Sequence, residues 1–106
     1  MAVMNQLISV YRGEHVPLGF TMSPVENISG WTFLLSVAPG PYTTKTFTVA
    51  GDIVVAADGT FAFTMDADVT APLLGEYVYD VWKTNANAER LLAEGPFRVL
   101  NVVRLP

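Results

Sequence analysis

Cysteine is absent, histidine occurs once, and only six lysines and arginines stand against ten aspartates and glutamates, for a net charge of −4. Without cysteine there is neither a disulfide framework nor a thiolate zinc site. A metal centre built on the single His15 would need several carboxylates gathered beside it. Lying in Gly13-Glu14-His15 ahead of a strand, this side chain reads as a surface-loop histidine. A Ser-His-Asp triad would have to pass through the same residue, and no Gly-x-Ser-x-Gly turn is present. No enzyme and no cofactor are expected. There is no glycine-rich phosphate loop, and Glu26, Glu76 and Asp80 show no pairing suited to two carboxylates flanking a cleft. The shortage of positive charge excludes a phosphate-binding basic patch, hence nucleic acid, and argues against an anionic membrane surface. No apolar run approaches the ~18 residues of a membrane span. Met1 to Val10 has no basic residue ahead of its apolar stretch and does not read as a signal peptide, so synthesis in the cytoplasm is expected. Asn27-Ile28-Ser29 is a formal glycosylation sequon that means little without secretion.

Apolar residues, by contrast, are plentiful. Of 106 residues, 51% are hydrophobic and 15% charged, where an ordinary domain has about 25% charged. Such a chain is too apolar to be disordered, and its length suits a single domain over residues 1–106. With few charges to cover the outside, part of the surface is expected to hide against a partner.

The apolar residues alternate. Val16, Leu18, Phe20 and Met22 form one series; Trp31, Phe33, Leu35 and Val37 another; then Phe47 and Val49; Phe61, Phe63 and Met65; Tyr77, Tyr79 and Val81; Phe97, Val99 and Val103. Successive side chains of a strand point to opposite faces, so each series puts its large groups on one face. Two sheets face to face would bury all of them. Leu7 to Tyr11 reads as a first strand. Ser29-Gly30, Pro39-Gly40-Pro41, Gly51-Asp52, Asp58-Gly59 and Gly95-Pro96 punctuate the runs, and Asp58-Gly59 is the strongest hairpin signal because both residues tolerate positive φ. The one weak helical stretch, Ala86 to Ala93, more naturally holds a return strand over Glu89 to Ala93. The fold class expected is all-β, a two-sheet immunoglobulin-like sandwich of about 7–9 strands; a β-barrel would give similar alternation.

The informative stretch runs from Phe61 to Val81. In immunoglobulin-like domains a tyrosine at the start of a late strand bonds back to the preceding loop, two residues before a core position. In Gly75-Glu76-Tyr77-Val78-Tyr79, Tyr77 takes the corner and Tyr79 the core position. Tyr77→Phe is accordingly expected to cost about 1–3 kcal/mol. Trp31 is placed to bring an aromatic into the core from the opposite sheet, and Phe63 shares that core. Asp66 and Asp68, with Asp58, could offer oxygens to calcium, although aspartates at turns more often bond the local backbone; no metal is expected. Trp82 breaks the pattern. It shares parity with Val78 and Asp80, opposite Tyr77 and Tyr79, and with Leu34, Leu100 and Val102 it suggests an apolar outer patch of the kind found at protein interfaces. The alternative is a register shift, or Trp82 tucked under the Asn85–Glu89 loop.

Several segments resemble the small immunoglobulin-like domains of tailed-phage and prophage structural proteins, including N-terminal domains of baseplate and tail proteins. They are Arg12-Gly13-Glu14, Leu18-Gly19-Phe20, Ser29-Gly30-Trp31-Thr32-Phe33, Asp58-Gly59-Thr60-Phe61, the Leu74 to Val81 corner and Leu91 to Val99. The resemblance spans roughly residues 8–104, though much of it is the fold's own grammar of glycine turns. It implies a non-enzymatic structural or assembly role, acting through protein partners or self-assembly, with incorporation into a virion or phage-like particle. It carries over no catalytic residues. The alternative is a carbohydrate- or peptide-binding module, for which Tyr42 and Trp82 are the candidate contacts.

Overall fold

The computed structural model describes residues 4–22, 24–40, 43–85 and 87–100. In chain order the elements are β1 (Met4–Asn5), β2 (Ile8–Tyr11), β3 (Val16–Thr21), β4 (Phe33–Ala38), β5 (Phe47–Ala50) and β6 (Asp52–Val55). Then follow β7 (Thr60–Met65), the single-turn helix α1 (Ala67–Thr70), β8 (Gly75–Lys83) and β9 (Arg90–Leu100). The larger sheet runs β9-β8-β4-β5, all antiparallel, with β1 and β2 both laid parallel against β9. The smaller sheet runs β3-β7-β6. The chain crosses between sheets from β2 to β3, β3 to β4, β5 to β6 and β7 to β8, makes hairpins at β4–β5, β6–β7 and β8–β9, and carries β1 on into β2 along the same partner β9. This is an immunoglobulin-like β-sandwich.

Alternation explains the core. Phe33, Leu35 and Val37 of β4 and Tyr79 and Val81 of β8 face Phe20, Phe61, Phe63 and Met65 of the smaller sheet, all buried. Three rings cross the interface as a column. Phe20 stacks on Phe61 at 5.5 Å, and Phe61 stacks on Phe33 at 4.2 Å with the planes 3° apart. Trp31 does not join them, which corrects the expectation for it. It precedes β4, is only partly buried, and packs on the rim of the core while Phe33 fills the interior. Its ring is held by cations, with Lys83 Nζ 4.1 Å and Arg90 Cζ 5.0 Å from its centroid. A ring so covered can satisfy its π-face while staying near water.

The weak helical stretch near the C-terminus resolves as strand: Arg90 to Ala93 begin β9, and Ala86 lies outside the described residues. Helix forms instead at the corner after β7. Asp66 caps it in extended geometry and Asp68 sits in its first turn. Asp58-Gly59 does make the β6–β7 turn, but only Gly59 has positive φ.

Gly95-Pro96 interrupts nothing on the β8 side, where Tyr79 faces Gly95 and Val78 faces Pro96. The interruption falls on the other side. β1 pairs with Ala93 and Glu94, β2 resumes at Phe97, and the parallel ladder lapses between them. Proline has no N–H to give to that ladder. The Gln6 carbonyl in the gap is taken up by Tyr79, 3% exposed, whose hydroxyl donates to it at 2.6 Å. Tyr77 holds less. Its hydroxyl stands 3.5 Å from the Leu74 carbonyl, at the limit of a hydrogen bond. Tyr77 thus meets the loop before β8 as a corner tyrosine does, but weakly, while the buried Tyr79 ties β8 to the chain between β1 and β2, and Gly75 opens the strand at φ 107°.

Tyr79→Phe is expected to cost about 1 kcal/mol in urea denaturation, because a part-buried hydrogen bond to the Gln6 carbonyl is lost. Tyr77→Phe is expected to cost less than about 0.5 kcal/mol. Burial also pushes the Tyr79 phenol above its ordinary 10.0. The folded state thus favours the neutral phenol. Its contribution is complete below pH 10.0 and is lost as the pH climbs from there through the raised folded value. Tyr79→Phe should flatten that alkaline decline; an unchanged decline would place its cause elsewhere.

Candidate functional site

The outer face of the larger sheet carries side chains of the parity opposite to the core. Tyr79 and Val81 of β8 point inward, so Val78, Asp80 and Trp82 point out. Register then arranges this face in rows. Leu91, Trp82, Leu34 and Ala50 lie side by side across β9, β8, β4 and β5. The neighbouring row is Glu94, Asp80, Ser36 and Thr48, and beyond it come Pro96, Val78 and Ala38.

A bulge sets the first row. Val81 faces Ala93 but Trp82 faces Leu91, leaving Leu92 as an extra residue on β9. Both Leu92 and Ala93 are buried, and the shift brings Leu91 beside Trp82 on the outside. Trp82 is 38% exposed. An exposed indole flanked by Leu34 and Leu91 is an apolar anchor beside the polar row of Glu94, Asp80, Ser36 and Thr48. The irregularity foreseen for Trp82 is real, but it does not bury the ring.

Beside this row lies a cavity of about 380 Å³ lined by Ser36, Ala38, Val78, Asp80 and Glu94, with Thr43 and Lys45 reaching in from the β4–β5 loop. Ser36 is buried on this face. Asp80 Oδ1 is sealed from water and has no hydrogen-bond partner. The cavity was not foreseen. Its signal was the pair of acidic residues Asp80 and Glu94, which only the β8–β9 register brings opposite one another.

The remaining candidates scatter. His15 is exposed, with Nδ1 3.4 Å from Asp66 Oδ1. Asp66 and Asp68 belong to the α1 turn and Asp58 to the β6–β7 turn, and among the described residues no cluster could hold a metal ion. Tyr42 lies outside the described residues. Phe63 is fully buried. At the far end of the sandwich, the β3–β4 and β8–β9 loops are bound together. Asn85 accepts from the Thr32 N–H at 2.8 Å and donates to the Gly30 carbonyl at 2.9 Å. At the opposite end Arg12 donates to the Ala71 carbonyl at 2.9 Å, and the Gly13 N–H donates to Thr70 Oγ1 at 3.0 Å, tying β2 to α1. These contacts give Arg12-Gly13 a structural task. Comparison of the chain with protein-family models and with curated proteins finds no match.

Proposed function

We propose that this domain is a non-enzymatic assembly module that works through protein–protein contacts on the outer face of its larger sheet, as a component of a phage or phage-like particle. One observation carries the contact surface: the row Leu91-Trp82-Leu34 with its exposed indole. Aromatic anchors set among aliphatic neighbours are the residues that dominate binding energy at interfaces. The placement in a particle rests on the sequence resemblance. Edges offer a weaker alternative to the face. β3 and β6 are the two edges of the smaller sheet, and β3 carries Pro17, which removes a backbone donor.

The test is molar mass by light scattering across a range of concentrations, for the native chain and for Trp82→Arg. A defined oligomer that weakens by about tenfold or more in Trp82→Arg is expected. An oligomer untouched by Trp82→Arg would remove the face from the proposal. A strict monomer would remove self-assembly and leave a different protein as partner. The flat Trp82 ring also suits a sugar, and saturable binding on a glycan array, lost in Trp82→Ala, would replace the assembly reading with that one.

A further inference from the structure

We propose that the cavity beside Trp82 receives an arginine side chain of a partner protein, held between Asp80 and Glu94. The inference rests on the outer face being a contact surface and names the chemistry that face accepts.

Two cross-strand pairs on β8 and β9 show the contrast. Glu76 faces Arg98, and their side chains bond at 2.8 Å. Asp80 faces Glu94, and among the described residues neither carboxylate is in an ion pair. Like charges directly opposite one another weaken a sheet. The second observation lies in the wall of the cavity. Ser36, the β4 register partner of Asp80, is 6% exposed and lines the same cavity. Asp80 Oδ1 is sealed from water without a donor. A buried polar group left unsatisfied is costly, and more so when charged. The site therefore gathers acceptors and negative charge, and its one lysine, Lys45, is in no ion pair with either carboxylate.

A guanidinium supplies what is missing. It carries five N–H donors in a plane, enough for two carboxylates and a hydroxyl, and it is less strongly hydrated than an ammonium. Ala38 and Val78 give the cavity apolar walls on which an arginine's methylenes can lie. Trp82 stands two residues along β8 from Asp80, about 7 Å away, so residues flanking the arginine would meet the indole. Lys45 lines the same cavity without reaching ion-pair distance of either carboxylate, and is the internal cation that would compete.

Two measurements test this. In the first, isotope-labelled protein is titrated with N-acetyl-arginine methylamide, and in parallel with the lysine and glutamate analogues, while backbone amide resonances are followed. The arginine probe should shift Ser36, Asp80 and Glu94 saturably, the lysine probe more weakly and the glutamate probe not at all. Asp80→Asn and Glu94→Gln should each weaken the arginine probe by about tenfold or more. No saturable shift at those residues, or indifference to either substitution, overturns the proposal. The second is thermal unfolding of the same variants at neutral pH. With the opposed charges uncompensated, each substitution should raise Tm by about 2–4 °C. A fall in Tm would mean that the chain neutralises the pair itself, through Lys45, and would overturn the proposal too. If these tests fail while Trp82→Arg still abolishes association, the contact face stands and only its arginine is lost.

Discussion

Phe63→Ala should lower the stability of the domain by about 3–5 kcal/mol, the range for truncating a fully buried phenylalanine. The upper half of that range is expected, because the ring is 0% exposed and belongs to the core cluster between the sheets. It meets Phe20 edge-on at 5.6 Å and Phe61 edge-on at 5.9 Å. It also fills the space above Gly51, where the chain leaves β5 for β6. A Cβ on Gly51 would lie 2.8 Å from Phe63 Cε1 and 2.9 Å from Phe33 Cβ. The ring and the missing side chain are thus one piece of packing, and the two substitutions should couple. Gly51→Ala alone destabilises by crowding the ring. In the Phe63→Ala background half of that crowding is gone, and the double variant should lose less than the sum of the singles by about 0.5 kcal/mol or more. A domain of this size shifts its Tm by about 4–8 °C per kcal/mol, so Phe63→Ala alone should lower it by about 12 °C or more. A loss under about 2 kcal/mol would mean that the cavity collapses and that the two sheets are not rigidly spaced.

Much of this packing is legible in sequence because it obeys one rule. Every inward residue of β3, β4, β7 and β8 falls on the alternation that strands impose. The rule says which side chains share a face; it does not say where a strand begins. Trp31 continues the parity of Phe33, yet the ladder of β4 starts at Phe33, and Lys83 and Arg90, distant in sequence, decide that Trp31 stays on the rim. The corner was legible in its residues but not in its strengths. Tyr77 reaches the Leu74 carbonyl only at 3.5 Å, and the stronger bond of Tyr79 depends on a gap in the β9 ladder at Gly95-Pro96 that frees the Gln6 carbonyl. The helix after β7 could have been found locally. Asp66 as cap, Asp68 in the first turn and Pro72 just past the end are start and stop signals.

The candidate site was half legible. An outward Trp82 follows from parity within β8. Its neighbours do not, because Leu91 reaches it only through the extra residue Leu92, and bulges leave little mark on the alternation of the strand that lacks them. The acidic pair is further still from sequence. Asp80 and Glu94 are joined by a register that the β8–β9 loop and the bulge set together, and a slip of one residue would have sent Glu94 to the other face.

Gly59→Ala should cost about 2–5 kcal/mol although it adds one methyl group in a turn. Two effects combine. Gly59 has φ 70°, where an L-residue with a Cβ pays about 1–2 kcal/mol. The new Cβ would also stand 2.7 Å from the Glu26 carbonyl oxygen and 3.0 Å from Met22 Cβ, so backbone must move, at about 1–3 kcal/mol. That backbone is part of a linked set. Gly59 accepts from the Met22 N–H at 2.9 Å, Ile28 donates to the Ala56 carbonyl at 3.0 Å, and Glu26 holds Arg90 at 3.1 Å beside Trp31. Displacing Glu26 should loosen Arg90 from the Trp31 ring, so the loss of stability should be accompanied by a change in Trp31 fluorescence before the unfolding transition. Two controls separate the causes. Gly19→Ala, with no atom within 4 Å of its would-be Cβ, should be neutral or stabilising by up to about 1 kcal/mol. Gly59→Asn relieves the φ penalty, since asparagine tolerates that conformation, but keeps the clash. It should recover less than half of the loss; full recovery would show that the turn's conformation alone matters and that Glu26 is free to give way.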